Sequence, residues 1–370
     1  MSNLESRPDE QVCAAGDAAP GVQLLTARDV PLGGPRAMSV RRTIPQRVRS
    51  LVGAWCFCDH YGPDDVSRSA GMQVPPHPHT GLQTVSWLFE GEILHRDSVG
   101  SLQTVRPGEL NLMTAGVGIS HSEESPRAGR PPLLHGVQLW TALPASALGE
   151  APHFEHHEDL PVHEADGARV QVFMGALAVA GRRLVSPART YTPLVGAQVD
   201  LAPGARLEVE ADPAFEHALL VDAGEVTFEG AAVPKDQLAC TAPGRDRLVV
   251  EAGAGGPARA VLVGGVPFDE DIVMWWNFVG RTHEDVARAR ADWMAQVADA
   301  PDAGSGADGP DGPDGATAYT DGAAGRRFGR VDGYASGPLR APALPDATLK
   351  PRTRPVTPPA PGVAEPPAMS

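Results

Sequence analysis

This chain has few cysteines, no long apolar run and no cluster of basic residues. Four cysteines among 370 residues are too few for a disulfide framework, which agrees with a reducing compartment. No segment approaches the roughly 18 consecutive apolar residues that a transmembrane helix needs. The first residues lack the basic start and apolar stretch of a secretory signal. We therefore expect a soluble, cytoplasmic protein without membrane contact.

The charge balance excludes another class of partner. Thirty-one Lys and Arg residues against 46 Asp and Glu residues give a net charge of −15 at pH 7. An acidic surface repels a phosphate backbone. We expect no direct binding of nucleic acid.

What is abundant is glycine and proline, with 41 and 37 residues. Short apolar runs alternate with Gly, Pro and Asp turns up to about residue 268, which predicts an all-β protein of barrels or sandwiches. Residues 88–93 (LFEGEI) match residues 221–226 (VDAGEV) at an offset of 133. This internal repeat predicts two barrels.

The composition divides the chain into five parts. They are a flexible lead-in (1–38), a first barrel with a metal site (39–150), a connector (151–168), a second barrel without metal that ends in a helix (169–298), and a Gly/Asp/Pro-rich, disordered linker and tail (299–370). The helix is expected to begin after Thr282, with an apolar stripe of Val286, Ala289, Trp293 and Val297. Residues 328–349 are expected to lie along a barrel as a strap.

Two short motifs in the first barrel predict a metal centre. His77 and His79 flank Pro78, and His121 and Glu123 flank a serine. Side chains two residues apart on a strand point to the same face, so two neighbouring strands could aim three imidazoles and one carboxylate at a single ion. Pro78 removes a backbone donor, which places its strand at a sheet edge or barrel rim.

The donor set indicates which chemistry such a site supports. Nitrogen and oxygen ligands without a thiolate suit Fe(II), Mn(II), Ni(II), Cu(II) or Zn(II), and they argue against a closed structural zinc site. A divalent ion with one carboxylate ligand keeps a positive charge, which favours an enolate or phenolate oxygen. We expect Glu123 to have a second, catalytic role in taking the substrate's hydroxyl proton.

Most other candidate ligands are interpreted as ordinary. The repeat offset aligns the four ligand positions with Glu210, Asp212, Ala254 and Gly256, so the second barrel has lost the metal set. Single histidines are expected to be core or surface residues: His60, His95, His135, His217 and His283. The connector histidines are expected to bind no metal: His153, His156, His157 and His163. Cys56 and Cys58 are expected to pack in the core, as is Trp87.

At these motifs the chain resembles a known family. The segments HPHTGLQTVSWLFEGEILHRDSVGS, PGELNLMTAGVGISHSEES, HGVQLW and IVMWWNFVGRTHEDV are similar to those of the pirin family, a group of two-barrel proteins in the cupin superfamily. The spacing of Gly71, five residues, His77 and His79 also fits the first cupin motif. The resemblance covers residues 38–298.

The resemblance implies two cupin barrels and one iron, Fe(II) or Fe(III), held by His77, His79, His121 and Glu123 in the first barrel only. Some members are similar to quercetin 2,3-dioxygenases, which open a polyphenol ring with O2. Others resemble redox-dependent regulators that bind a protein partner such as a transcription factor. An isomerase that needs no oxygen is a third alternative. Gln83 stands where the family often has Glu, a change expected to affect the surroundings of the metal more than its ligands.

Overall fold

The computed structural model describes residues 21–32, 38–126, 128–129, 131–300 and 326–351. The remaining parts of the predicted lead-in, linker and tail lie outside the described residues. Among the described residues there is one α-helix, and none that is long and apolar enough to cross a membrane. Two cupin barrels account for nearly all the strands.

The first barrel consists of a seven-stranded and a four-stranded sheet, and all its neighbouring strands are antiparallel. The strands up to the connector are β1 (Val22–Leu25), β2 (Arg28–Leu32), β3 (Met38–Ile44), β4 (Trp55–Asp65), β5 (Gln73–His79), β6 (Leu82–Glu90), β7 (Ile93–Asp97), β8 (Leu102–Val105), β9 (Leu110–Thr114), β10 (Ile119–Glu124), β11 (Leu133–Ala142) and β12 (His153–His157). The strand orders are β12-β9-β6-β11-β4-β3-β2 and β5-β10-β7-β8. A 3₁₀ turn at Ala145–Ala147 follows β11.

The second barrel is a single 12-stranded sheet. Its strands are β13 (Val162–Ala165), β14 (Ala168–Val179), β15 (Arg182–Val185), β16 (Leu194–Leu201), β17 (Arg206–Glu210), β18 (Glu216–Ala223), β19 (Val226–Phe228), β20 (Ala231–Val233), β21 (Leu238–Thr241), β22 (Arg247–Ala252) and β23 (Ala258–Gly265), together with β1. The hairpin β24 (Val273–Trp275) and β25 (Phe278–Gly280) then leads into helix α1 (His283–Gln296).

The internal repeat is visible in the turns that follow β6 and β18. Gly91 and Gly224 have φ angles of +93° and +81°, which only glycine adopts readily. A Cβ atom added to either residue would lie 2.4 Å from a backbone carbonyl oxygen, that of Leu133 or Pro257. The matching sheets β5-β10-β7-β8 and β17-β22-β19-β20 confirm that each copy is one barrel.

The strands that correspond to β5 and β10 in the second barrel are β17 and β22. Their buried side chains are Leu207, Val209, Leu248, Val250 and Ala252, which offer no metal ligand. The offset of 133 residues does not align the two barrels at these strands, because Asp212, Ala254 and Gly256 lie beyond the ends of β17 and β22. Loops of unequal length cause the slip.

The barrels share one apolar core. Trp55 donates its indole N–H towards the carbonyls of Val195 and Gly264, each at 3.1 Å. Trp87 stacks on Phe173 of the second barrel with ring centroids 4.7 Å apart, which confirms its assignment to the core. Strand β6 is thus covered on both faces over most of its length.

Two boundary predictions need correction. The flexible lead-in is wrong for residues 22–32, because β1 pairs with β21 of the second barrel and β2 pairs with β3 of the first. The connector adds a strand to each barrel, since β12 pairs with β9 and β13 pairs with β14. Backbone pairing across barrels carries no local sequence signal, so composition alone could not show it.

Helix α1 belongs structurally to the first barrel. Thr282 and Asp285 form the capping box expected from the sequence. The predicted stripe is buried, and Trp293 packs edge-on against Phe328. Residues 326–351 are ordered within the tail: they pack against α1 and the first barrel without regular secondary structure, along the stretch where a strap was expected over residues 328–349. We call residues 326–351 the strap.

Candidate metal centre

Strands β5 and β10 are antiparallel neighbours, as the two motifs required. His77 lies opposite His121 and His79 lies opposite Ile119. On its other side β10 pairs regularly with β7, so that His121 faces Asp97 and Glu123 faces His95. Six side chains therefore lie on the same face of this sheet. They are those of His77, His79, His95, Asp97, His121 and Glu123.

Three of the four predicted ligands converge. Ligand atoms of His77, His79 and His121 all lie within 4.8 Å of one another, and the Nε2 atoms of His79 and His121 are 3.0 Å apart. All three side chains are fully buried. This donor set fits a divalent transition-metal ion, because neutral imidazoles are its usual nitrogen ligands.

Prolines shape the strand that carries His77 and His79. Strand β5 is at the edge of its sheet, as Pro78 predicted. A β-bulge separates the His121 and Glu123 positions of the β5–β10 ladder, where Glu123 pairs with Val74. The bulge falls at Pro75 and Pro76, which cannot donate to a ladder.

Hydrogen bonds orient His77 towards the centre. Its Nδ1–H donates to the carbonyl of Pro75 at 2.9 Å. Its buried Nε2 has no hydrogen-bond partner among the described residues. An imidazole whose other nitrogen is held by a backbone carbonyl presents its Nε2 lone pair, which is the arrangement of a metal ligand.

A chain of contacts orients His121 in the same way. Asp97 accepts a hydrogen bond from His95 Nε2 at 3.1 Å, so His95 Nδ1 carries the lone pair. That nitrogen accepts a hydrogen bond from His121 Nδ1 at 3.4 Å. Because the proton of His121 is then on Nδ1, its Nε2 carries a lone pair, and this nitrogen faces His79. His95 was predicted to be ordinary, and this contact corrects that interpretation. The alternation of His95 and Asp97 on one strand was the available signal.

Burial keeps these imidazoles neutral. It lowers the pKa of His77, His79 and His121 well below the usual 6.5, and the mutual repulsion of their charged forms lowers the pKa values of His79 and His121 further. A neutral imidazole is the form that binds metal. The centre therefore needs no deprotonation step near neutral pH.

The metal-free protein is expected to lose stability as the pH falls below 6.5. The unfolded chain takes up protons at these histidines near pH 6.5, whereas the folded chain resists them, so the free energy of unfolding falls by up to about 1.4 kcal/mol per histidine and pH unit. The loss continues down to the lowered pKa values. Urea unfolding at several pH values measures it. His121→Gln should flatten the dependence and the control His163→Gln should not; an unchanged slope in His121→Gln contradicts the account.

Glu123 is buried on β10 but is not among the three side chains whose ligand atoms converge. Burial raises the pKa of Tyr61 well above its usual value, and the negative charge of Glu123 raises it further. The Tyr61 hydroxyl is buried without a hydrogen-bond partner among the described residues. The Glu123 carboxylate and the Tyr61 phenol are thus both buried and close enough to interact electrostatically.

Aromatic rings form part of the wall. His79 meets the edge of Trp140 at a centroid distance of 5.2 Å, and Trp140 stacks on Phe57 at 3.9 Å. His95 stacks on Phe154 of β12 at 4.5 Å. These rings exclude water, which strengthens electrostatic interactions at the centre.

Gln83 was expected to affect the surroundings of the metal. Its side-chain amide donates to the Thr114 hydroxyl and to the carbonyl of Arg189.

The strap contacts both metal-motif strands. Ser120 Oγ, next to His121, donates to the carbonyl of Phe328 at 2.9 Å. The backbone N–H of Leu339 donates to the carbonyl of Pro76, next to His77, at 2.8 Å. The strap thereby gives edge strand β5 one backbone hydrogen bond outside its own sheet.

A second group of buried ligands was missed. His60, His135 and Asp222 also bring their ligand atoms within 4.8 Å of one another, although both histidines were predicted to be ordinary. They are far apart in sequence, and Asp222 comes from the other barrel. His217, His283 and the connector histidines belong to neither cluster of described residues. Cys56 and Cys58 are buried, which confirms their place in the core, and burial raises the pKa of each thiol to about 12.

The chain matches two family models. Residues 37–141 match Pirin, and residues 196–298 match the Pirin C-terminal cupin domain. A Pseudomonas aeruginosa protein that carries quercetin 2,3-dioxygenase as a provisional name is 40% identical over 349 residues, which is 93% of this chain and 98% of that relative. Human Pirin is 32% identical over 225 residues, 59% of this chain and 75% of its own length.

A solved structure agrees with these matches. The crystal structure of a quercetin 2,3-dioxygenase from Acinetobacter baumannii superposes with a TM-score of 0.76 at 34% identity, covering 90% of this chain and 98% of that one. Fold, motifs and sequence similarity extend over both barrels. The chain belongs to the pirin family.

Proposed function

We propose that this protein is an iron-dependent dioxygenase of the quercetin 2,3-dioxygenase type, with His77, His79, His121 and Glu123 as metal ligands. The observation that carries the proposal is the convergence of three buried imidazoles inside the first barrel. The names of the Pseudomonas and Acinetobacter relatives support the reaction class. We also propose that the protein acts in the cytoplasm.

The substrate class follows from the charge of the site. A bound divalent iron would supply positive charge that stabilises an enolate or phenolate oxygen and would bring substrate and O2 together. We propose a flavonol-like polyphenol, whose adjacent hydroxyl and carbonyl oxygens suit such a centre. Mn, Ni, Cu and Zn ions share the same ligand preference.

The residues of the chain have separate tasks in this proposal. His95 and Asp97 hold His121, and the Pro75 carbonyl holds His77, so the imidazoles keep one orientation. Glu123 accepts the proton of the substrate hydroxyl. Trp140 and Phe57 keep the interior dry.

One assay tests the proposal. Protein loaded anaerobically with Fe(II) is mixed with quercetin and then exposed to air. We expect the flavonol absorption band to disappear with saturation kinetics, and His121→Ala to lose the activity. Full iron content without oxygen-dependent loss of the band contradicts the enzymatic proposal. A protein partner that then co-purifies with only one iron oxidation state favours the regulator, and conversion without oxygen favours an isomerase.

A further inference from the structure

The second cluster lies where the two barrels meet. His60 is on β4 and His135 is on β11, which are neighbours in the first barrel, and Asp222 is on β18 of the second barrel. Asp222 Oδ1 lies 2.7 Å from His60 Nε2 and 2.6 Å from His135 Nε2, and the two nitrogens are 3.2 Å apart. Three ligand atoms from two barrels therefore surround one point.

These separations fit coordination of a single ion. With metal–ligand bonds of about 2.1 Å, they correspond to angles of roughly 75–100° at the ion, close to one face of an octahedron. Two histidines and one carboxylate on one face leave the opposite positions open. The cluster therefore agrees with a metal site in the type of its ligands, in their number and in the angles between them.

The groups around the cluster orient these ligands. His60 Nδ1 is 2.9 Å from Asp236 Oδ1, within ion-pair range. The other oxygen of Asp222 is 2.9 Å from Arg259 Nε. Arg41 lies 3.3 Å from His60 Nδ1 and 3.1 Å from Asp236. The two arginines balance the two carboxylates, so an ion would attract a hydroxide or another small anion to its open positions.

Burial strengthens the case for a cation. His60 and Asp222 have 0% exposed surface and His135 has 5%. Buried charges in proteins are paired or coordinate a metal ion. Phe89 packs against the cluster, with its ring centroid 5.0 Å from that of His135 in an edge-on contact, and the Arg259 guanidinium lies over the Phe89 ring.

We propose that His60, His135 and Asp222 form a second divalent-metal site, which joins the two barrels. Its nitrogen and oxygen ligands suit Zn²⁺ or another first-row divalent ion. The alternative is a site without metal. Both imidazoles would then donate a hydrogen bond to Asp222, and the cluster would be a hydrogen-bonded contact between the barrels. The proposal does not depend on the dioxygenase function.

Metal stoichiometry separates the two sites. Full-length chain is stripped of metal, reconstituted with Zn²⁺ and dialysed, and its zinc is measured by mass spectrometry. We expect two ions per wild-type chain, one in His121→Ala, one in Asp222→Asn and none in the double variant. His121→Ala that retains no zinc, or Asp222→Asn that retains as much as wild type, overturns the proposal.

A stability measurement covers variants that fold poorly. Zn²⁺ should raise the Tm of metal-free His121→Ala but not that of His121→Ala/Asp222→Asn, because an ion that binds only the folded state stabilises it. His121→Ala/His163→Ala is the control and should keep the zinc-induced rise. A Tm of His121→Ala that is insensitive to Zn²⁺ assigns the cluster to the hydrogen-bonded contact and contradicts the metal site. Loss of dioxygenase activity reports only on the first site.

Discussion

Glu123→Gln is expected to reduce oxygen-dependent turnover of quercetin by at least about 100-fold, the range of a lost general base. Glutamine has nearly the same shape but is a far weaker proton acceptor. Three convergent imidazoles remain, so the variant should still retain metal. Steady-state rates and metal content are measured on the same preparation.

Glu124→Gln is the matched control for this prediction. Glu124 is the next residue of β10 and is also buried, but it pairs with Arg96 rather than facing the imidazoles. It should keep its turnover. Full activity of Glu123→Gln rejects the catalytic role, while loss of metal from that variant would show that the carboxylate acts mainly as a ligand.

Asp97→Asn is expected to weaken metal binding by about 10–100-fold, although Asp97 contacts no predicted ligand directly. The carboxylate accepts from His95 Nε2. An asparagine can donate there instead, which moves the His95 proton to Nδ1 and against the Nδ1 proton of His121. His121 would then carry its proton on Nε2, where the metal should bind.

Competition with a chelator measures this affinity. Asp65→Asn is the control, because Asp65 also accepts a backbone N–H two residues ahead, from Ser67, as Asp97 does from Val99. The control should bind metal like wild type. Equal affinity in Asp97→Asn would mean that the contact between His95 and His121 does not set the tautomer. Imidazole nitrogen chemical shifts provide a second readout.

Much of the candidate site could be predicted from the sequence because its ligands are local. His77 with His79, and His121 with Glu123, each lie two residues apart, and strand geometry alone puts such pairs on one face. The repeat followed from a glycine turn that tolerates no side chain, at Gly91 and Gly224. The apolar stripe and cap of α1 were equally local.

The tertiary structure decided whatever depends on distant partners. Strand β1 pairs with the far barrel, and the strap forms hydrogen bonds with the strands of His77 and His121 at positions that its composition could not predict. His95 acquires its task only from the register of β7 against β10. His60, His135 and Asp222 meet only because two barrels dock through a shared core. Periodicity reports the face of a single strand, whereas contacts between strands are set by register and docking, which local sequence does not encode.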